Sequence, residues 1–455
     1  MECMAGRGAG SCAAARAGKP LARCVNCNAA RSTPSKSAST RSLRREPLRR
    51  DRVRSRLCAA RKEAILLRSL VRGGAGALLF AIALSSPVFA AEPATGSDAQ
   101  IREAALAFMR ENGIPGLAIG VTVNGTERFY NFGVASKETG APVTNETLFE
   151  LGSMSKTFAA TLGGWAQVTG KLSLDAPVST YLPEMRGTPF GALTLVNLGT
   201  HTGGGFPLQV PDEVTNDTQL TAWLKAWRPR YPAGTQRTYA NPSIGMFARI
   251  AAQQLGMSYP DAVETLLFPK LGLAHTFIRV PAAERAAYAQ GYNSKNAPVR
   301  LNPGVLADEA YGVKSDTRDV LRFLEANLGQ VEVEPEMQRA LEATHVGYFH
   351  TGPFIQDLVW EQYAQPVGLN DLVKGNANVM VLEDNPATAL IPPLPPQPDV
   401  LLDKTGATNG FGGYLAFEPS RKTAIVILAN RNHPTESRVR FAYRVLELVQ
   451  GASVP

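Results

Sequence analysis

Short apolar runs separated by turn residues follow one another in the C-terminal third of the chain, and apolar positions recur with helical spacing near both ends of the folded part. Segments 399–404, 413–417 and 423–430 predict three short strands in hairpin order. Segments 117–123 and 126–133 flank Asn124-Gly125 and predict a further β-hairpin with a two-residue turn. Hairpin-connected strands pair side by side in opposite directions, so the pattern predicts an antiparallel sheet.

Helical periodicity is clearest in segments 98–112 and 436–450, each followed by a glycine that can end a helix. Segment 242–255 also predicts a helix, whereas residues 171–238 predict short helices and loops. Prolines in segment 392–398 predict a surface crossing without regular structure. The chain is therefore predicted to be an α+β protein, with an antiparallel sheet flanked by helices plus a mostly helical lobe.

The N-terminal region reads as a targeting segment preceded by an extension. Arg68 and Arg72 precede an apolar run over residues 77–84, and a small-x-small cleavage pattern ends at Ala90. We interpret residues 63–91 as a signal peptide, because the run is too short for a membrane anchor. Residues 1–62 lack apolar periodicity and are interpreted as disordered, or as preceding a true translation start near residues 60–71.

Charge divides the chain at the same place. Residues 1–91 carry 18 basic and 4 acidic residues, a net charge of +14, whereas the remainder carries 29 basic and 35 acidic residues, a net charge of −6. The formal charge of +8 therefore does not indicate a nucleic-acid partner. All five cysteines precede residue 60, and Cys24-x-x-Cys27 has no second ligand pair, so no metal site is predicted.

Ser153 and Lys156 are the first candidates for chemistry. A serine three residues before a lysine at a helix start places hydroxyl and amine on one face, a turn apart. The apolar run that follows predicts a buried helix, and burial lowers the pKa of a lysine, which can then accept the proton of a hydroxyl. The alternative is an N-cap serine beside a solvent-exposed lysine.

Two further tripeptides carry complementary groups. Tyr239-Ala240-Asn241 offers a phenol for proton transfer and an amide for binding a substrate amide, although a core tyrosine beside a turn asparagine is the alternative. Lys404-Thr405-Gly406 ends a predicted strand; its cation and hydroxyl suit a carboxylate, and its glycine permits close approach of a substrate. An edge-strand lysine at a turn is the alternative there.

Taken together and in this order, the three motifs resemble those of the serine β-lactamase and penicillin-binding-protein superfamily. The resemblance is greatest to class C β-lactamases and extends over the chain from about residue 92. It rests on six separated segments, 149–158, 207–212, 234–241, 310–315, 404–412 and 427–432. Asn409 and Thr435 depart from residues common in the family, and we expect them to alter which cephalosporins fit.

The resemblance implies a β-lactamase/transpeptidase-like fold, with a sheet lobe at about 92–170 and 240–455, a helical lobe at about 171–239, and the site between them. It implies that Ser153 is the nucleophile and that Lys156 and Tyr239 share proton transfer, with the acylation base left open. The implied substrate-binding residues are Gln209, Asn241, Tyr311, Lys404, Thr405, Gly406, Ala407 and Asn432. The resemblance also implies that the backbone N–H groups of Ser153 and Ala407 form the oxyanion hole.

The predicted function is hydrolysis of penicillins and cephalosporins through a serine acyl-enzyme, in a periplasmic monomer without metal or cofactor, nucleic-acid partner or stable membrane association. A DD-peptidase or esterase on the same fold is the nearest alternative, because such proteins acylate similarly. A membrane-tethered penicillin sensor is a second alternative. Turnover after acylation distinguishes the hydrolase from both.

Overall fold

The computed structural model describes residues 96–451. The predicted extension (1–62), the predicted signal peptide (63–91) and all five cysteines lie outside the described residues. Within 96–451, none of the helices combines the length and apolar character needed to span a bilayer.

A nine-stranded sheet organises the fold. Its order is β13-β9-β10-β11-β14-β15-β16-β1-β2, and every neighbouring pair is antiparallel. The strands of the described chain are β1 (Gly116–Val123), β2 (Thr126–Gly133), β3 (Phe149–Glu150), β4 (Gln236–Thr238), β5 (Thr276–Phe277), β6 (Gly291–Tyr292), β7 (Pro298–Val299), β8 (Lys314–Ser315), β9 (Gly347–His350), β10 (Ile355–Asp357), β11 (Glu361–Ala364), β12 (Asp384–Pro386), β13 (Thr388–Leu394), β14 (Val400–Ala407), β15 (Gly412–Glu418) and β16 (Thr423–Ala429).

Helices cover both faces of this sheet and form a second layer beyond it. They are α1 (Gly96–Asn112), α2 (Ser155–Val168), α3 (Val178–Tyr181), α4 (Leu195–Gly199), α5 (Asp217–Ala226), α6 (Asn241–Gln254), α7 (Tyr259–Ala262), α8 (Phe268–Leu271), α9 (Ala307–Tyr311), α10 (Thr317–Asn327), α11 (Pro335–Ala343), α12 (Leu369–Gly375), α13 (Val379–Leu382) and α14 (Thr435–Val449). Short 3-10 turns and one π-helical segment, Val263–Leu267, connect some of them.

Burial on both faces explains the sequence pattern of the central strands. Every residue of β15 and β16 is buried, because α14 packs on one face of both strands while, on the other face, α10 packs on β16 and the 3-10 turn Gly152–Met154 packs on β15. Two apolar clusters result. One lies between α1, α14 and the sheet, and the other, larger cluster fills the space between the sheet and α2, α6 and α10. Such two-sided burial favours nearly continuous apolar strands.

Helix α2, at whose start the Ser153 turn lies, packs closely on both α6 and α11. A side-chain carbon at Gly163 of α2 would lie 2.2 Å from the Phe247 ring of α6, and one at Gly164 would lie 2.5 Å from the Ala340 carbonyl oxygen of α11. Glycine is therefore required for this approach. The close packing holds the start of α2, with Ser153 just before it, beside the start of α6, where Tyr239 lies.

Most of the predicted elements are confirmed, and two differ. The Asn124-Gly125 turn has positive φ at both residues, 50° and 78°, as a tight hairpin turn requires. The prediction for segment 392–398 is partly wrong, because β13 continues through Leu394. β13 is an edge strand, and prolines are tolerated there because an outward-facing N–H of an edge strand has no neighbouring strand to bond. Strand β14 continues three residues beyond the predicted end at Lys404.

Candidate active site

The predicted site residues converge on one cleft of about 470 Å³. It lies at the end of β14, beside the starts of α2 and α6. Ten of the eleven predicted residues line it, namely Ser153, Gln209, Tyr239, Asn241, Tyr311, Lys404, Thr405, Gly406, Ala407 and Asn432. The eleventh, Lys156, lies behind Ser153. Asn409 and Thr435, the two departures from the family pattern, also line the cleft.

Ser153 and Lys156 form the hydrogen-bonded pair that their spacing predicts. Ser153 lies in the 3-10 turn Gly152–Met154, which continues directly into α2. Lys156 Nζ donates to Ser153 Oγ at 2.9 Å and to the carbonyl oxygen of Ala310 at 2.9 Å. The lysine is fully buried, and this burial lowers its pKa. The alternative of a solvent-exposed lysine is wrong.

Tyr239 faces the same pair from the start of α6. The ammonium nitrogens of Lys156 and Lys404 lie 5.1 Å and 5.4 Å from the centre of its ring. Burial alone would raise the pKa of the phenol, but these two charges, with hydrogen bonding to Ser153 and Lys156, lower it. A phenol of lowered pKa next to a serine hydroxyl can accept and return its proton.

Close backbone contact joins the Ser153 turn to the end of β14. A side-chain carbon at Gly406 would lie 2.1 Å from the Leu151 carbonyl oxygen, and one at Gly152 would lie 2.6 Å from the Ala407 backbone nitrogen. Gly152 also has a φ of 55°. The sequence predicted that Gly406 allows a substrate to approach closely. In the structure, the backbone of Leu151 itself occupies the space beside Gly406. This contact brings the Ala407 N–H next to Ser153.

Substituting Gly406 with alanine is expected to destabilise the fold and the site together. The added carbon overlaps the Leu151 carbonyl, so β14 must move away, at about 1–3 kcal/mol or more of unfolding free energy. We also expect a loss of about 10²-fold in kcat/KM, because small displacements of catalytic groups are costly. Chemical denaturation and steady-state kinetics measure the two effects. Gly368→Ala is the control for glycine loss alone, because Gly368 has a φ of −81° and an added carbon there would meet nothing closer than Asp371 Oδ2 at 3.8 Å.

The side-chain oxygen of Asn241 is buried without a hydrogen-bond partner in the described part of the chain. Its side chain is 6% exposed, and its Oδ1 accepts no hydrogen bond from any residue of the described chain. Buried amide oxygens are nearly always hydrogen-bonded. Asn241 lines the cleft together with Gln209, so a substrate N–H is a suitable partner for its oxygen.

A buried ion network, not foreseen from the sequence, holds Lys404. Glu361 Oε1 lies 3.5 Å from Lys404 Nζ and accepts a hydrogen bond of 2.9 Å from Arg237 Nη2. Burial alone would lower the pKa of Lys404, but the negative charges of Glu361, Tyr239 and Asp403 together outweigh it, so the pKa is raised and the lysine stays charged. Arg237 and Glu361 are separated by 124 residues, and no local pattern indicates their contact.

Arg438 is a second cation that sequence reasoning missed. It lines the cleft from α14 while its guanidinium is almost completely buried. It donates to the carbonyl oxygens of Gly406 and Gly413, and more weakly, at 3.4 Å, to Asn432 Oδ1. Within residues 96–451 it has no carboxylate partner, so its charge is balanced only by carbonyl dipoles. Burial lowers its pKa to about 10.

Asp403, next to Lys404, points to the opposite face of β14. It is fully buried, and its Oδ2 accepts hydrogen bonds from Asn376 Nδ2 (2.7 Å) and the Tyr414 hydroxyl (2.8 Å). Glu361 is its cross-strand partner. Burial, and then repulsion from the Glu361 carboxylate, raise the pKa of Asp403 to about 8.

This raised pKa predicts a loss of stability as pH rises. The unfolded carboxyl ionises near its ordinary pKa of 3.8, whereas the folded one keeps its proton to about 8. Each pH unit in that window therefore costs up to about 1.4 kcal/mol of unfolding free energy, and the loss levels off above pH 8. Asp403→Asn is expected to flatten the fall in Tm between pH 5 and 9. Asp399→Asn, exposed just before the same strand, should leave the slope unchanged, and an unchanged slope in Asp403→Asn would contradict the prediction.

Residues 96–451 contain no cluster of three or more His, Asp or Glu side chains arranged to hold a metal ion. The groups that the cleft presents are a hydroxyl, an amine, a phenol and fixed cations. Such a set suits nucleophilic attack by Ser153 and binding of an anionic substrate.

Comparison with known proteins agrees with this geometry. The β-lactamase family model matches residues 101–450. The β-lactamase of Lysobacter lactamgenus is 50% identical over 374 residues, covering 82% of this chain and 97% of the relative. A solved β-lactamase/D-alanine carboxypeptidase from Pseudomonas syringae is 51% identical, with a TM-score of 0.77, covering 79% of this chain and all of the other.

A solved class C β-lactamase in complex with cefoxitin is 49% identical, with a TM-score of 0.75, covering 77% of this chain and 98% of the other. The match thus includes the sheet, the helices and every segment that lines the cleft. This chain therefore belongs to the β-lactamase family, and its fold is that of the class C members.

Proposed function

We propose that this protein hydrolyses the β-lactam ring of cephalosporins and penicillins through an acyl-enzyme on Ser153, and that it thereby confers resistance to these antibiotics. One observation carries the proposal. The Ser153 hydroxyl accepts a hydrogen bond from the buried Lys156 at 2.9 Å, in a cleft that also presents Tyr239 and Lys404. Nucleophile, proton acceptor and anion-binding cation therefore share one pocket.

In acylation, Ser153 Oγ attacks the lactam carbonyl carbon and releases its proton. Lys156 and Tyr239 both contact the hydroxyl, and each has a lowered pKa, so they act as a coupled pair that accepts this one proton. The positive charges beside Tyr239 favour its phenolate form as the acceptor. The new C–O bond forms as the carbonyl oxygen becomes an oxyanion.

The backbone N–H groups of Ser153 and Ala407 are the proposed donors to that oxyanion. Their proximity follows from the contact between the Ser153 turn and the end of β14, which only glycine at positions 152 and 406 permits. Preorganised donors of this kind each stabilise the transition state by about 3–4 kcal/mol.

Collapse of the oxyanion breaks the lactam C–N bond, and Tyr239 returns the proton to the departing nitrogen. In deacylation, the same phenolate takes a proton from a water molecule, which attacks the acyl carbon. The bond from that carbon to Ser153 Oγ then breaks, and Tyr239 returns the proton to Oγ, which restores the free hydroxyl. This second step distinguishes a hydrolase from a protein that is only acylated. It depends on Tyr239 keeping its lowered pKa in the acyl-enzyme.

The remaining cleft residues orient the substrate. Lys404, Thr405 and Asn432 face the substrate carboxylate, and Glu361 is the largest of the negative charges that keep Lys404 protonated. Asn241, through its unpaired Oδ1, and Gln209 hold the acylamido group, and Tyr311 forms the wall on the side of α9. Asn409 and Thr435 lie where they can alter which cephalosporin side chains fit.

Turnover is tested by mass spectrometry after brief mixing with cephalothin. We expect a covalent adduct that disappears within seconds to minutes while product accumulates over many cycles. An adduct that persists, with one product per protein molecule, would contradict hydrolysis and favour a penicillin-binding role. Ser155→Ala is the matched control and should form and release the adduct normally, because the Ser155 hydroxyl accepts a hydrogen bond from the Val313 N–H, away from Lys156.

D-Alanine carboxypeptidase activity is a second candidate, favoured by the description of the similar Pseudomonas syringae protein as β-lactamase/D-alanine carboxypeptidase. A peptide ending in D-alanyl-D-alanine also presents an amide and a terminal carboxylate. Release of D-alanine from such a peptide, measured beside cephalothin hydrolysis, decides the ratio of the two activities. Loss of both in Ser153→Ala would assign them to one site.

Periplasmic location is the third part of the proposal, supported by the signal-peptide pattern of residues 63–91 and by the cysteine-free remainder of the chain. Mass spectrometry of the purified periplasmic fraction is expected to find an N-terminus near residue 91 or 92. Peptides from residues 1–55 in the precursor would contradict a translation start near residues 60–71. Size-exclusion chromatography tests the predicted monomer.

A further inference from the structure

His201 lies directly against the proposed proton-transfer tyrosine. It follows α4 in a left-handed conformation, with a φ of 60°, and its side chain is 1% exposed. The centre of its ring lies 4.4 Å from that of Tyr239, and the two planes meet at 39°.

Two hydrogen bonds connect His201 to the peptide groups on either side of Tyr239. The Thr238 N–H donates to the His201 carbonyl oxygen at 2.9 Å, and the Ala240 N–H donates to His201 Nδ1 at 3.3 Å. The phenol-bearing residue is therefore held at both of its flanking residues by one histidine. Its ring is held at the same time by the imidazole.

The second hydrogen bond determines the protonation state of the ring. A nitrogen that accepts a hydrogen bond carries no proton, so the neutral imidazole bears its proton on Nε2. Nε2 is buried and has no partner among residues 96–451. Burial, and then the charges of Arg237, Lys156 and Lys404, lower the pKa of His201 well below its ordinary value.

We propose that His201 is a positioning residue that, as a neutral Nε2-H imidazole, holds Tyr239 in reach of Ser153 and Lys156. His201 does not line the cleft, and no hydrogen bond within residues 96–451 joins it to Ser153 or Lys156, so we assign it no contact with substrate or with the transferred proton. A protonated His201 would lose its bond to the Ala240 N–H and add a charge beside Tyr239. The inference rests on the proposed function of Tyr239.

Variants separate the hydrogen bond from the packing. His201→Phe keeps a ring against Tyr239 but loses the acceptor, whereas His201→Asn places an amide oxygen near the position of Nδ1. We expect His201→Phe to lower kcat for cephalothin about 10- to 100-fold and to shift the acid limb of the pH profile of kcat/KM, with little change in KM. We expect His201→Asn to recover most of this loss.

His345→Phe is the matched control. His345 is also buried, and burial lowers its pKa to about 3, but it bonds Asn327 Oδ1 and packs on Trp360 and Phe417, away from the cleft. It should lose stability while kcat and the pH profile stay unchanged. Equal kcat losses in His201→Phe and His201→Asn, or an unchanged pH profile in His201→Phe, would overturn the proposal.

A measurement on the unmodified protein keeps the inference testable if a variant does not fold. Imidazole nitrogen NMR is expected to show His201 neutral, with its proton on Nε2, from pH 5 to 9. A proton on Nδ1, or a charged ring in that range, would overturn the proposal. This result is independent of turnover, so a protein that fails to hydrolyse cephalothin would refute the proposed function without deciding the role of His201.

Discussion

Ser153→Ala is expected to abolish the covalent adduct with cephalothin and to lower kcat/KM by on the order of 10⁴- to 10⁶-fold. The substitution removes the hydroxyl that accepts the 2.9 Å hydrogen bond from Lys156, and with it the atom that becomes acylated. Residual turnover would then come only from binding and the proposed oxyanion donors. Intact-protein mass spectrometry and initial rates measure the two effects.

Ser155→Ala provides the matched control for this loss. Ser155 is two residues away, fully buried and on the same helix start, but its hydroxyl accepts the Val313 N–H instead of contacting Lys156. We expect it to lose about 1–3 kcal/mol of stability, since the Val313 N–H loses its partner, and to keep its adduct. An adduct of normal yield in Ser153→Ala would remove Ser153 from the nucleophile role.

Tyr239→Phe is expected to lower kcat by about 10²- to 10⁴-fold with a much smaller change in KM. The substitution keeps the ring that packs on His201 and loses only the hydroxyl that exchanges the proton. Substrate contacts at Lys404 and Asn241 are untouched. Stopped-flow mixing with cephalothin should show acylation and deacylation both slowed, and the acid limb of the pH profile should disappear with the phenol.

Tyr259→Phe is the corresponding control. Tyr259 is a fully buried tyrosine whose hydroxyl has no partner among residues 96–451, and burial, followed by the charges of Glu309 and Asp308, raises its pKa. Removing that hydroxyl is expected to leave kcat unchanged and stability equal or slightly greater. If Tyr239→Phe behaved like this control, proton transfer would have to be assigned to Lys156 alone.

Together the two predictions separate the roles of hydroxyl and phenol. Loss of the nucleophile removes acylation altogether, whereas loss of the phenol slows both chemical steps and leaves the acyl-enzyme on the pathway. If the unmodified protein itself remained acylated, it would resemble Tyr239→Phe. That result would contradict the hydrolase function but would leave Ser153 assigned as the nucleophile.

The groups that act over short chain distances were predictable. The three-residue spacing of Ser153 and Lys156 follows from the geometry of one helical turn, and the apolar run after them required a buried helix. The hairpin at Asn124-Gly125 and the terminal helices follow from periodicity and turn chemistry. Each of these depends on backbone dihedral preferences and on the spacing of apolar side chains within one element.

The supporting network was not predictable from local pattern. Glu361, Arg237, Lys404 and His201 come from separate elements, and their contacts span 39 to 124 residues. Nothing within a few residues of Glu361 indicates that its carboxylate helps to keep Lys404 charged. The same holds for Asp403, whose pKa is raised by burial and by a carboxylate on the neighbouring strand.

The amino-acid sequence by itself determined which chemical groups are present, the helices and hairpins that carry them and, through its motifs, the family. Only the tertiary structure decided that Gly406 accommodates the protein's own Leu151 carbonyl and that a neutral His201 holds Tyr239. The physical reason is that desolvation and pairwise charge interactions depend on distance in space. Folding sets these distances between residues that lie far apart along the chain, and local sequence patterns carry no information about them.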